Sequence, residues 1–137
     1  MTATVAPAPA SFRGWTVYTT ALTWAIFLQA VTAGRLLSGD SWAREVHSTA
    51  GGLLFLAALV PAIVAGIRLR DVGGGRRLTL LLGGLAVALF VQDGLGKAAA
   101  AGNDTLWIHV PLGVAIVGFA AQATNHARKL ATVTVPA

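Results

Sequence analysis

His47 and His109 are the residues of this chain best placed for chemistry, because each stands in the same setting. The first stretch carries Gln29, Gly34, His47 and Gly51; the second carries Gln92, Gly94, Gly96, His109 and Gly113. In both, a glutamine closes an apolar segment, a polar loop follows, and His-x-x-x-Gly opens the next segment. The Gln-to-His spacing is 18 residues in the first stretch and 17 in the second. Imidazole is a good ligand for iron, copper or zinc. Two histidines at equivalent places of a duplicated hairpin can meet across a bundle and hold one metal ion or heme iron between them.

The groups around the histidines extend this reading. Gly51 and Gly113 follow four residues later, on the same helix face, and leave a shallow pocket where a flat macrocycle could press on backbone. Gln29 and Gln92 could bond an imidazole nitrogen, a backbone carbonyl or a ligand, and such partners orient imidazoles at metal sites. Arg35 and Arg44 have guanidinium groups suited to carboxylates such as heme propionates. Pairing with Asp40, Glu45 or Asp93, or contact with lipid headgroups, is the plainer role for them. His126 has no counterpart histidine and reads as an interfacial cation at a helix C-terminus.

A membrane must position these residues. The 137-residue chain is 55% hydrophobic and 11% charged, against about 25% charged in soluble domains. It therefore reads as an integral membrane protein of one domain. With no cysteine, disulfides, thiolate metal sites and iron–sulfur clusters are excluded. The net charge of +5 fits topology-setting loops better than nucleic acid, which is not expected as a partner. Walker, His-Glu-x-x-His and nucleophile-elbow motifs are missing, and no catalytic residue is assigned.

Four apolar segments are separable: Trp15–Leu37, Val46–Leu69, Leu78–Leu95 and Leu106–Ala123. Each is near the ~20 residues needed to span the hydrocarbon. The expected architecture is all-α: an up-down-up-down four-helix bundle of two repeated hairpins, over about residues 15–69 and 78–125. The domain spans 13–130, with a disordered tail at 1–12 and a C-terminal tail at 131–137. Arg13, Arg68, Arg70, Arg76, Arg77, Arg128 and Lys129 mark one side, which the positive-inside rule makes cytoplasmic, with both termini. Asp71 to Gly75 should form a flexible turn between the halves. The first segment, rich in threonine, should face the bundle more than the lipid, although threonines can bond back to their own helix. Pro61 should kink the second helix. The second and fourth helices should lie diagonally, roughly 11–14 Å apart from neighbour spacings of 8–10 Å.

The run Gln29, Gly34, Arg35, Ser38, Gly39, then Glu45 and His47, resembles the hairpin unit of heme A synthase. In the second half the resemblance thins to Gln92, Gly96 and His109. Over nearly the whole chain, the sequence is also similar to small four-helix membrane proteins of unknown function, common in actinobacteria. The heme A synthase resemblance implies a heme held by His47 and His109. It does not imply synthase activity. That family has twice as many helices, two histidine pairs and often a cysteine pair, and its glutamate stands three residues before the histidine rather than two, as Glu45 does.

The leading expectation is a b-type heme protein of the cytoplasmic membrane, near the outer face, serving electron transfer or heme handling. A cofactor-free accessory subunit of a larger membrane complex, such as a respiratory one, is the second reading. Its partner would be another membrane protein, or a second copy of the chain. A transporter or sensor with a site among Thr23, Trp24, Gln29 and Gln92 is the third.

Overall fold

The computed structural model describes residues 10–132, all of them helix or short connections. The expected terminal tails fall largely outside these residues. Four helices follow in order: α1 (Ala10–Leu37), α2 (Ser41–Arg68), α3 (Gly75–Ala100) and α4 (Leu106–Thr132). Each is long and apolar enough to cross a membrane, as expected of a multi-pass membrane protein. At 26 to 28 residues, each is about 40 Å long and overruns a ~30 Å hydrocarbon core. Their ends therefore carry polar residues that fall outside the apolar segments. Arg44 and Lys97 are both helical.

Short connections force antiparallel neighbours. Backbones pack closely between α1 and α2, α2 and α3, α3 and α4, and α1 and α4, while the pairs α1/α3 and α2/α4 make no close approach. This is a square bundle with α2 and α4 on a diagonal. The core is a leucine ridge set among alanines. Leu78, Leu82, Leu85 and Leu89 of α3 share one buried cluster with Ala58, Ala62 and Ala65 of α2 and Ala120 and Ala127 of α4. Small residues let membrane helices approach until dispersion contacts hold them.

α1 is the least covered of the spanning helices, but its threonines turn inward: Thr19 is buried and Thr16, Thr20 and Thr23 are half-buried. Only 11% of its spanning window is buried, against 28% for α2 and α3. Thr16, Thr19, Thr20 and Thr23 each donate to a carbonyl one turn back, at 2.7–3.1 Å. Each of these hydroxyls is thus satisfied within its own helix and leaves no unpaired donor in the apolar interior. Thr23 also meets Thr124 of α4, with 3.0 Å between hydroxyl oxygens. Trp24 is 62% exposed and so sits on the lipid side.

Pro61 deprives the carbonyl of Ala57, four residues earlier, of its helical donor. The hydroxyl of Tyr18 on α1 supplies the replacement, 2.6 Å from the Ala57 oxygen. In lipid such a carbonyl has few other donors. Tyr18→Phe is expected to destabilise the bundle by about 1–2 kcal/mol. In a Pro61→Ala background, where residue 61 regains its N–H, the same change should cost only a few tenths. Detergent unfolding titrations of the four proteins in this cycle would read the difference. Equal costs in both backgrounds would refute the compensation.

The turn between the halves is exposed but internally hydrogen-bonded. Val72 N–H donates to Leu69 O at 3.1 Å, and Gly75 N–H to Val72 O at 2.9 Å. Gly74 has φ +80°, and its carbonyl accepts from Nε2 of His126 at 2.9 Å. His126 therefore ties the end of α4 to this turn, a role its position in the sequence does not announce.

Candidate functional site

The two hairpins repeat one hydrogen bond. Gln29 Nε2 donates to the backbone oxygen of His47 at 3.1 Å, and Gln92 Nε2 to that of His109 at 2.9 Å. Each amide crosses from the first helix of its hairpin to the second and fixes where the histidine backbone sits. Of the roles open to the glutamines, the structure selects the backbone carbonyl.

The glycines explain the approach. A side-chain amide reaching the histidine carbonyl must pass over the residue one turn later. A Cβ on Gly113 would stand 2.9 Å from Gln92 Nε2, and one on Gly51 would stand 3.6 Å from Gln29 Nε2. The space over these glycines holds the glutamine amides, where the sequence reading had room for a macrocycle. Gly113→Ala is expected to break the Gln92 bond and cost about 1 kcal/mol, while Gly51→Ala should be nearly neutral. Thermal unfolding in detergent would rank the pair, and equal losses would contradict this account.

His47 lies six residues into α2 and His109 three into α4, about 9 and 4.5 Å along their axes. His47 is thus deeper in its helix than the single turn its sequence context suggests, because Ser41 to Arg44 extend α2 outward. The rings nevertheless meet across the diagonal. Their centroids are 6.2 Å apart and their planes cross at 72°. Both histidines are half-buried.

Hydrogen bonding fixes the tautomer of His109 and is compatible with the same one at His47. His109 Nδ1 lies 3.0 Å from the carbonyl oxygen of Gln92. A carbonyl only accepts, so Nδ1 carries the proton and the neutral ring leaves a lone pair on Nε2. His47 Nδ1 lies 3.0 Å from the Thr32 hydroxyl. That hydroxyl is 3.0 Å from the Gln29 carbonyl and 2.9 Å from Gln29 Oε1, both acceptors. When that proton goes to one of them, the hydroxyl can accept Nδ1–H from His47. Neither Nε2 has a hydrogen-bond partner among the described residues, and neither is a sealed unsatisfied atom. Each imidazole is therefore oriented from behind at Nδ1.

The halves differ in one respect. Thr32 satisfies Gln29 Oε1, but the corresponding position after Gln92 is Leu95, and Gln92 Oε1 is buried without a partner. Gly96 also matters locally. A Cβ there would stand 3.0 Å from His109 Cε1, so a larger residue would push on the ring.

The cations lie farther out. Arg35 pairs with Asp40 at 2.6 Å and Lys97 with Asp93 at 2.6 Å. Arg44 is exposed and has no ion pair among the described residues. Among those residues no cluster of three or more His, Asp or Glu side chains could hold a metal ion. Trp42 and Trp107 are 54% and 69% exposed at this end of the bundle, as interfacial anchors are. Thr32 and the backbone of Gln92 were not evident from sequence. The three-residue Gln29–Thr32 spacing was the available signal for the first. Compared with protein-family models, curated proteins and solved structures, the chain matches none.

Proposed function

We propose that this protein is a b-type heme protein of the cytoplasmic membrane, with His47 and His109 as the two axial ligands, serving electron transfer or heme handling. The observation that carries the reading is the ring separation. A metal–nitrogen bond of about 2.1 Å, plus about 1.1 Å from nitrogen to ring centre, puts two imidazoles on opposite sides of one ion about 6.4 Å apart. The rings stand at 6.2 Å. The donor set supports it: both rings are held at Nδ1, leaving Nε2 for iron.

When bound, heme supplies a one-electron ferric–ferrous couple. The chain's own part is positional. Gln29 and Gln92 hold the two ligand-bearing helix ends, and Thr32 and the Gln92 carbonyl set the ring planes. The surrounding apolar helices keep water scarce. Arg44, free of an acidic partner, is the outer-face cation available to propionates. By the positive-inside rule, the arginine-rich turn and both termini lie in the cytoplasm, and the histidine end faces outward.

The test is spectroscopic. Protein purified from a heme-replete host should show α and Soret bands in a reduced-minus-oxidised spectrum. With ring planes crossing at 72°, the ferric form should give a highly anisotropic low-spin EPR signal. Its largest g value should exceed that of hemes with parallel imidazoles. Absence of heme bands in protein from that host would sink the proposal.

A further inference from the structure

At the arginine-rich end, far from the histidines, α1 and α2 leave a furrow open to the side. One part, about 750 Å³, is lined by Phe12, Trp15, Val64, Ile67, Val72 and Arg68. A second part, about 410 Å³, shares Trp15 and Val64 and continues past Tyr18 to Pro61. Pro61 to Arg68 is about 10 Å of helix. The walls are hydrocarbon and aromatic almost throughout. The one hydroxyl, that of Tyr18, is already engaged with Ala57 O at 2.6 Å.

The furrow is apolar along its length and cationic at its mouth. Arg68 is exposed and makes no ion pair among the described residues. The nearby acid, Asp71, is bonded instead by Arg70 at 3.0 Å. A free guanidinium presents paired N–H donors that match phosphate oxygens. Trp15 beside it is a side chain suited to headgroup depth. Basic pockets between spanning helices recognise anionic headgroups in this way.

We infer that the furrow between α1 and α2 binds an anionic phospholipid, with an acyl chain along Trp15, Val64 and Pro61 and the phosphate on Arg68. Charge complementarity selects this occupant. A zwitterionic lipid brings its own cation toward Arg68, and a quinone finds no free donor in the depth of the furrow.

The experiment uses the full chain in phosphatidylcholine vesicles, with Trp24, Trp42 and Trp107 replaced by Phe so that Trp15 alone reports. Chain-brominated phosphatidylglycerol should quench Trp15 several-fold more than chain-brominated phosphatidylcholine at the same low mole fraction. Arg68→Gln should abolish that preference while the helical circular dichroism is retained. Equal quenching by the two lipids overturns the proposal, as does a preference that survives Arg68→Gln. Relief of quenching by an added long-chain quinone would assign the furrow to a quinone instead. Should the tryptophan replacements fail to fold, native mass spectrometry of the unaltered protein decides. Selective retention of one phosphatidylglycerol from an equimolar mixture supports the site, and equal retention of both lipids refutes it.

Discussion

Alanine at either His47 or His109 is expected to lower heme affinity more than about 100-fold while leaving the bundle folded, since loss of even a group behind a metal ligand costs 10–100-fold. The fold should survive because each Gln-to-His bond ends on the histidine backbone, which alanine keeps. What the substitutions remove is one imidazole and its Nδ1 bond to Thr32 or to the Gln92 carbonyl, about 1 kcal/mol of stability each. Heme stoichiometry by pyridine hemochrome, read beside circular dichroism, separates the outcomes. Full occupancy in the double variant would place the heme elsewhere or nowhere specific. Collapse of the helical signal would mean that the histidines are structural. Thr32→Val provides a milder contrast, because it keeps the His47 ligand but removes the hydroxyl behind it. Its predicted effect is a loss of affinity and a changed EPR anisotropy, with the heme still bound.

The EPR shape is informative because the two halves treat their histidines differently. A strict repeat would place the same partner behind each Nδ1. Here one ring leans on a side-chain hydroxyl and the other on a main-chain carbonyl, and the planes cross at 72°. One covalent difference stands behind this asymmetry: Thr32 of the first half is matched by Leu95 in the second, so only His47 has a hydroxyl at that place. If heme binds as proposed, the repeated hairpin would supply its two ligands, and the differences between the two halves would set how the rings face each other.

Much of the architecture was legible because hydropathy reports burial in lipid directly. Four apolar runs separated by arginine-rich and polar connections leave few arrangements for a short chain, and the Gln…His repeat placed α2 and α4 on one diagonal. Other features depended on which atom meets which. Hydropathy marks the hydrocarbon slab and not the hydrogen-bonded helix, so Arg44 and Lys97 fall outside the apolar segments although both are helical. The threonines of α1 do mark its inward face, with Thr19 buried, but their hydroxyls are satisfied one turn back, so their number did not reveal how little of the helix as a whole is covered. Pro61 signals a lost hydrogen bond in any sequence, yet only the packing of α1 on α2 identifies Tyr18 as its substitute. Gly51 and Gly113 were recognisable as necessary space; their occupant, a glutamine amide, lies 21 or more residues away in the chain.

Gly75→Ala is expected to be the most damaging single-atom change in the protein, and it acts at the opposite end from the histidines. Gly75 is buried at the first turn of α3. A Cβ there would fall on the backbone oxygen of Leu69, with Leu69 Cβ at 2.7 Å and its carbonyl carbon at 2.9 Å. Those atoms belong to the C-cap of α2 and cannot swing aside as a side chain would. Relief requires α2 and α3 to separate where the halves join, and the His126 bond to Gly74 resists that movement from α4. Overpacking in a rigid core costs about 1–3 kcal/mol, and a backbone obstacle puts this change at the top of that range or beyond. Gly73→Ala, two residues away, is the control: nothing lies within 4 Å of its Cβ position, so stability should be unchanged. Because α2 carries His47 and α3 carries the glutamine that holds His109, opening this joint should also loosen the ring pair. Gly75→Ala protein that still folds should therefore bind heme more weakly than wild type with both ligands intact. Similar stability and similar heme affinity in the Gly73→Ala and Gly75→Ala proteins would show that the joint does not govern the site.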